Sequence, residues 1–453
     1  MAKERAAKHE IDMTQGSLLP SLIRFAIPLI LSGVIQLAFN TADLIVVGRF
    51  AGENSLAAVG SNTSVITLLV NIMLGLCTGT SVMTARHFGA KDGENLKKTV
   101  DTSVVTGFAG GVILGTIGII IARPLLTLMG TPDEVLPLAV IYLRIYFAGL
   151  PVMQLYNFSA AILKAVGDSK RPLYFLTAAG ILNVGLNLFF VIVLQMNVAG
   201  VALATVISQV LSCLLTLRAL ITSDGIFRLD IRHLRFSSIA FKELMKIGVP
   251  AGIQSSMFSI SNVIIQSSIN SFGAMVMAGN SAAASIEGFI FVSLDAVNQS
   301  SIACVSQNMG AEKATRVKQA VRFCLLMEFI IAAVLGACII IFSRPLLGIY
   351  TSEEEAIAAG VIRMMIFGAT FFLNGMQHMM GGVMRSIGYS ILPTVVSLIG
   401  ICVFRIFWIF TFFAEYRTIE MLYVSYPISW ILTLTAHLIL YLSLRGRKLN
   451  FIK

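Results

Sequence analysis

Charge is the scarcest commodity in this sequence. Only 12 % of its 453 residues are Asp, Glu, Lys or Arg, while 57 % are hydrophobic. A soluble domain carries about 25 % charge, so this chain cannot cover a water-facing surface, and a polytopic membrane protein is implied. Histidine is equally thin: there are five, no two at helical ligand spacing, and no GxSxG, HExxH or glycine-rich loop leading to Lys occurs. An enzyme has little to work with, and no catalytic residue, certain metal centre or cofactor is expected. The six cysteines (Cys77, Cys213, Cys304, Cys324, Cys338, Cys402) stand singly in apolar segments without a CxxC pair, and read as small buried hydrophobes. The first twenty residues, MAKERAAKHEIDMTQGSLLP, lack a continuous apolar core. No cleavable signal peptide is expected, so the first apolar helix must direct insertion itself.

What the chain has in quantity is apolar runs of membrane length, near 22–47, 56–83, 100–122, 136–160, 173–194 and 198–221, and again near 243–269, 274–304, 321–342, 357–382, 391–413 and 422–444. About 20 apolar residues span the hydrocarbon core, so twelve helices are predicted, six on each side of the polar break DGIFRLDIRHLRFSS. The expected organisation is a cytoplasmic N-terminal segment (1–21), an N-lobe of helices 1–6 (22–221), a basic cytoplasmic linker (222–242), a C-lobe of helices 7–12 (243–444) and a cytoplasmic tail (445–453). Of the 33 Lys and Arg, 26 fall on the side of the termini. Arg49, Arg123, Arg144, Arg344, Arg363 and Arg417 fall on the other, and Arg405 lies within a helix. Positive loops face the cytoplasm, so both termini are expected there, in the plasma (inner) membrane. The same rule accounts for the net charge of +10 without a nucleic-acid partner.

The halves are copies of one another. Pro28 and Pro250 are 222 residues apart; Gly89-Ala90 and Gly310-Ala311, Arg123-Pro-Leu-Leu and Arg344-Pro-Leu-Leu, Gly167 and Gly388, and Pro172 and Pro393 are each 221 apart. Landmarks in one order at one offset mean a duplicated six-helix unit. Six is even, so the copies are parallel, related by pseudo-two-fold symmetry along the membrane normal, with a substrate site expected where they meet. Gly75 and Gly79 form a GxxxG pair, and Gly107, Gly111 and Gly115 form a longer ridge for close helix packing.

Polar residues within the spans carry the chemistry. In LIRFAIPLILSGVIQLAFNTADLIVVG, Gln36, Asn40 and Asp43 fall at i, i+4 and i+7, one helical face. An intramembrane acid is costly, about 2.5–3.5 kcal/mol at the bilayer centre, and is by default a functional candidate; the alternatives are that Asp43 reaches the headgroups or pairs with Arg49. Pro28 removes a backbone donor opposite Arg24, so the helix bends there or begins there. Asn183 and Asn187 share a face of helix five, and Thr205 and Gln209 a face of helix six. With Asp43 they suit a proton or a small hard cation, or simply glue a bundle. In the second half Asn262 stands where Asn40 does, but Ile265 stands where Asp43 does. Glu287 and Asp295 lie on helix eight, Asn374 and His378 on helix ten, and Arg405 on helix eleven is a candidate to neutralise either acid. The methionines of helix ten, Met376, Met379 and Met380 among them, suit a surface that repacks around ligands or a core.

Pro28, the segment Asn40-Thr-Ala-Asp43 with GRFAGENSLAAVG, the loops HFGAKD and QNMGAEK, KAVGDSKRP with its counterpart MRSIGYSILP, and GILNVGLN with GVALATVISQ make the chain similar to the multidrug and toxic compound extrusion (MATE) family over nearly its whole length. The resemblance implies an all-α membrane protein of twelve transmembrane helices in two lobes around a V-shaped cavity. It implies export of diverse, often cationic amphipathic compounds in exchange for H⁺ or Na⁺, with Asp43 as the proton- or cation-binding acid, Pro28 as the bending proline, and Asn183 and Thr205 as site members. Two positions depart from the family pattern. Many members have an aspartate at Asn187, and its loss favours H⁺ over Na⁺; a branch with a C-lobe cation site has an aspartate at Asn374, which argues against a C-lobe site of that type. The reading is a monomeric antiporter for small organic cations in the lipid bilayer. Alternatives are a flippase for lipid-linked or amphipathic glycans, disfavoured because Arg405 alone would meet an anionic cargo, and a receptor that binds without transporting.

Overall fold

A computed structural model describes residues 10–51 and 53–449, and they form helices joined by short loops. Lys3, Arg5, Lys8, Gly52 and Lys453, which entered the charge map or the motifs above, lie outside these residues, as do the first part of segment 1–21 and the end of the tail. Twelve long helices follow one another: α1 Leu18–Ala51, α2 Glu53–Ala90, α3 Gly93–Leu128, α4 Leu136–Ala165, α5 Lys170–Val193, α6 Asn197–Ile221, α7 Ser238–Asn270, α8 Ala274–Gly310, α9 Ala314–Ile341, α10 Glu354–Ser386, α11 Ile391–Phe413 and α12 Ile419–Leu449. Each overlaps one expected apolar run, and most extend it at the ends, where polar residues continue the helix or cap it. Asp92 accepts from the Asn95 N–H at 3.2 Å at the start of α3, and the Asn95 bonds hold its carboxyl below the usual carboxylate range.

Eleven helices among the described residues are long and apolar enough to cross a membrane. α7 has the length, 33 residues, but Lys242, Glu243 and Lys246 and the run of Ser, Gln and Asn from Gln254 to Asn262 dilute its hydropathy. The surface is inverted relative to a soluble protein: Ile113, Ile120, Val193, Phe410 and Ile439 are exposed, whereas Asn187, Glu287, Glu328 and Arg405 are buried. Apolar side chains that would repel water here have lipid as their solvent.

By contacts the chain forms two compact units: Val34–Gly248 with the segment ending at Asp12, and Met13–Gly33 with everything described from Val249 onward. The divisions thus fall inside α1 and α7, near Pro28 and Pro250, whereas the sequence places the boundary in the loop 222–242. The loop itself belongs to the first unit. Phe227 and Leu229 are buried against Leu96, Val100 and Leu220, the Ser237 N–H donates to Thr102 Oγ1 at 3.1 Å, and the backbone of α7 at Leu244 lies against Gly79. In the second unit the turn before α1 is clamped. The Met13 N–H donates to Gln307 at 3.0 Å, and the Arg316 guanidinium donates to the carbonyls of Met13, Gln15 and Gly16 at 2.9–3.1 Å.

The two units repeat one plan. In the first, α4 is the hub, packed on α2, α3 and α6; in the second, α10 is the hub, packed on α8, α9 and α12. The turns agree too: Lys91 and Glu312, 221 residues apart, have φ of 56° and 57°, and Gly167 and Gly388 have φ of 89° and 101°. π-helical turns interrupt α5 at Phe189–Val193 and α11 at Ile409–Phe413. The glycine ridge of α3 does what its spacing predicts. A Cβ on Gly111 would lie 2.6 Å from Pro151 Cα, and one on Gly115 2.6 Å from the Phe147 carbonyl oxygen, both on α4. Gly115→Val is therefore expected to force α3 from α4 and cost about 1–3 kcal/mol, read as a lower midpoint in thermal unfolding of the purified protein; an unchanged midpoint would show that the contact yields freely. One cysteine departs from expectation: Cys338, on the outer side of α9, is exposed, while the other five are buried.

Candidate functional site

The first unit gathers one acid and two amides from segments 140 residues apart in sequence. Asp43 is half-buried on α1. Asn187 of α5, fully buried, donates its Nδ2 to Asp43 Oδ1. Asn183, one turn earlier on the same face of α5, completes the group. With its amide turned so that nitrogen faces the acid, it donates to Asp43 Oδ1 at 2.7 Å and Oδ2 at 3.3 Å. The carboxylate is thus met by N–H groups from two side chains, the arrangement that stabilises an anion. An asparagine can also serve the neutral acid, because its amide presents an acceptor when turned. The Asn187 carbonyl oxygen is buried without a partner, ready for such a role.

Local backbone supports the pair. One turn after Asp43, α1 passes into a π-helical turn, Val47–Ala51, and after Asn187 α5 does the same; the two turns touch. π turns occur where a helix must re-aim side chains. One turn N-terminal to Asp43, Phe39 packs onto Gly180 of α5, where any side chain would collide with its ring. Tyr142 of α4, absent from the expected set, is buried within electrostatic reach of Asp43. Nothing in its sequence context distinguished it from the other core aromatics of α4.

Other expected members of this site differ in their surroundings. Gln36 and Asn40 are exposed; helical spacing put them on the face of Asp43, but that face is only partly covered. Thr205 spends its hydroxyl proton on Val201 O, 3.0 Å away on its own helix, which leaves it an acceptor only. Pro28 lies ten residues inside α1 rather than at its start, so it interrupts a running helix, and the Ser32 hydroxyl bonds the Pro28 carbonyl at 2.8 Å.

The second unit holds a different polar network, and it corrects an expected pairing. Glu287 is neutralised by Arg363 of α10, not by Arg405: Nε and Nη2 of Arg363 donate to the two Glu287 oxygens at 2.9 and 2.7 Å. Arg363 Nη1 also donates to Asn280 at 2.6 Å, and the Tyr423 hydroxyl donates to the same oxygen at 3.1 Å. Arg405 instead donates to Ser429 at 2.9 Å and lies over the Tyr426 ring, 4.0 Å from its centroid. The charge map counts Arg363 among the bases on the side opposite the termini; because α10 begins at Glu354, it lies more than two turns inside the helix. Asp295 is held by Gln299 of its own helix at 2.6 Å. Asn374 accepts from Gln377 at 3.2 Å, and His378 stacks near Phe291 at 6.3 Å. Ile265, in place of a second Asp43, is core. Met379 and Met380 are fully buried, and of the three singled-out methionines only Met376 keeps some surface. Among the described residues no group of three or more His, Cys, Asp and Glu could hold a metal ion.

The family model MatE matches this chain twice, over residues 28–189 and 250–411. The chain belongs to the MatE family. Both matches begin at the paired prolines, so the duplication seen in the sequence is a duplication of the family's own unit. A Bacillus subtilis (strain 168) member named "Probable multidrug resistance protein YoeA" is 29 % identical over 435 residues, which is 93 % of this chain and 94 % of that one. A Shewanella oneidensis member named "FAD transporter" is 22 % identical over 343 residues, 74 % and 75 % of the two chains. A solved structure described as the outward-facing conformation of a multidrug resistance MATE family transporter superposes with a TM-score of 0.88 at 22 % identity, covering 98 % of each chain. The fold is therefore the twelve-helix MATE fold, and the chain is a multi-pass membrane protein of a family of membrane transporters.

Proposed function

We propose that this protein is a proton-coupled antiporter that exports small, often cationic amphipathic compounds, with Asp43 as the group that takes up the proton. One observation carries the reading: the first unit's cluster holds a single acid, met by two neutral amides. A small hard cation is held by several converging oxygens, carboxylates prominent among them, and here Asp43 is the single anionic ligand. A proton needs one carboxylate and an environment that tolerates both of its states, and the paired asparagines supply that by turning their amides. The ionised form attracts an organic cation; protonation removes that attraction and releases it. The names of multidrug relatives support the cargo class, and the charge map supports a plasma-membrane protein with both termini in the cytoplasm. Pro28, inside α1, supplies a hinge for the conformational step.

The test is efflux of a fluorescent organic cation from vesicles containing the purified protein. An imposed pH gradient alone is expected to drive it, and a Na⁺ gradient at equal pH is not. Drive by Na⁺ alone would overturn the coupling assignment. Binding without accumulation under either gradient would return the receptor reading.

A further inference from the structure

In the second unit one acid has no counterpart. Glu328, near the middle of α9, is fully buried, and neither carboxyl oxygen has a hydrogen-bond partner. Glu287, the other buried acid among the described residues of this unit, is matched by Arg363 with two bonds. The Glu328 carboxyl is seated against α10 at Gly375: a Cβ there would lie 3.2 Å from its Cδ and 3.0 Å from Leu294 Cδ1. Gly375 therefore provides the space, and α8 closes it with Leu294. The next residue on α8 is Asp295, half-buried and within electrostatic reach of Glu328.

An ionised carboxylate with neither donor nor counter-ion is not tolerated in a protein interior; such a group is neutral. The surrounding titratable groups do not change this. α8 presents Asp295, a second acid that supplies no counter-charge. On α9 itself Cys324 lies one turn away, and α10 brings His378, which is within electrostatic reach of Asp295 and of Arg385. Arg385 is in turn held by Gln254.

We propose that Glu328 is a second proton site, holding an exchangeable proton that enters and leaves through Asp295. The inference extends the antiport reading from the first unit to the second and rests on it for its use in transport. The site differs from the Asp43 cluster in design. Asp43 is stabilised as an anion by two amides, whereas Glu328 has no stabilising donor and changes charge only when Asp295 or a rearrangement of α8 against α10 supplies a partner.

Infrared spectroscopy of the full chain in lipid vesicles tests this without transport. The protonated-carboxyl C=O band of an acid lacking strong hydrogen bonds is expected in the wild type. It is lost in Glu328→Gln, retained in Asp43→Asn, and shifted to lower frequency on transfer to D₂O, with the shift slowed several-fold in Asp295→Asn. A band that is absent from the wild type or survives Glu328→Gln overturns the proposal. So does a band that never shifts in D₂O, because the carboxyl is then sealed. If Glu328→Gln fails to fold, Asp295→Asn decides: exchange at the wild-type rate overturns the route. Absence of proton-driven efflux in the wild type would count against the antiport reading alone and leave this spectroscopic result standing.

Discussion

Vesicles carrying Asp43→Asn are expected to lose proton-gradient-driven efflux down to the level of empty vesicles, while the protein folds and is purified as the wild type. The substitution keeps the shape of the side chain. Its carbonyl oxygen can still accept from Asn187, whose Nδ2 bonds Asp43 Oδ1, or from Asn183 at the same oxygen. What it removes is the ability to change charge. Coupling requires that the protonated and ionised states differ in their affinity for the substrate, because a ligand that binds two states equally shifts neither. An asparagine has one state, so the gradient has nothing to act on. Binding of an organic cation, followed by fluorescence, should also lose its pH dependence. Full retention of pH-driven efflux by Asp43→Asn would remove Asp43 from the mechanism and redirect attention to the acids of the second unit. Asp43→Glu is the complementary variant. It restores the charge but lengthens the arm toward two fixed amides, so partial activity is expected.

The sequence made much of this legible because apolar length and polar interruption are local signals. All twelve helices and the six-helix duplication follow from run length and from landmarks at one offset, and the matched turns at Lys91 and Glu312 repeat the offset in backbone angles. The Asp43, Asn183 and Asn187 grouping was accessible because each helix shows its own polar face. Which faces meet was not. Helical spacing orders residues within one helix but carries no information on the rotation of its neighbour, and so it does not show that Gln36 and Asn40, on the face of Asp43, are exposed while Asp43 is half-buried. For the same reason Tyr142, on a third helix, was missed. A long flexible base near a helix end poses a second difficulty. Arg363 can be read as an interfacial residue or as an interior one, and only the partner decides. The division of the units is marked in the sequence only by the paired prolines Pro28 and Pro250 near it, since it runs through the continuous helices α1 and α7 instead of through the basic loop.

Arg363 also gives the largest expected effect on stability. Its guanidinium makes three hydrogen bonds in the buried network, two to Glu287 and one to Asn280, and it lies over the Phe367 ring, 4.4 Å from its centroid. Arg363→Met keeps much of the volume and the contact with the aromatic cluster of Phe367, Tyr426 and Trp430, but leaves a carboxylate buried without a counter-charge. Breaking a buried pair from one side costs about 3–5 kcal/mol, seen as a large fall in the thermal midpoint of the purified protein. Glu287→Gln in the same background removes the stranded charge and offers an amide to Asn280 and Tyr423, so the double variant is expected to be more stable than Arg363→Met alone. That rescue separates a structural pair from a transport pair. If the double variant regains stability and also exports its substrate under a pH gradient, the pair holds α8 to α10 and takes no part in coupling. If it regains stability without transport, Glu287 joins Asp43 among the groups whose charge the mechanism needs. Additive losses in the double variant would mean that the two side chains do not act as a pair in the working protein, whatever their separation.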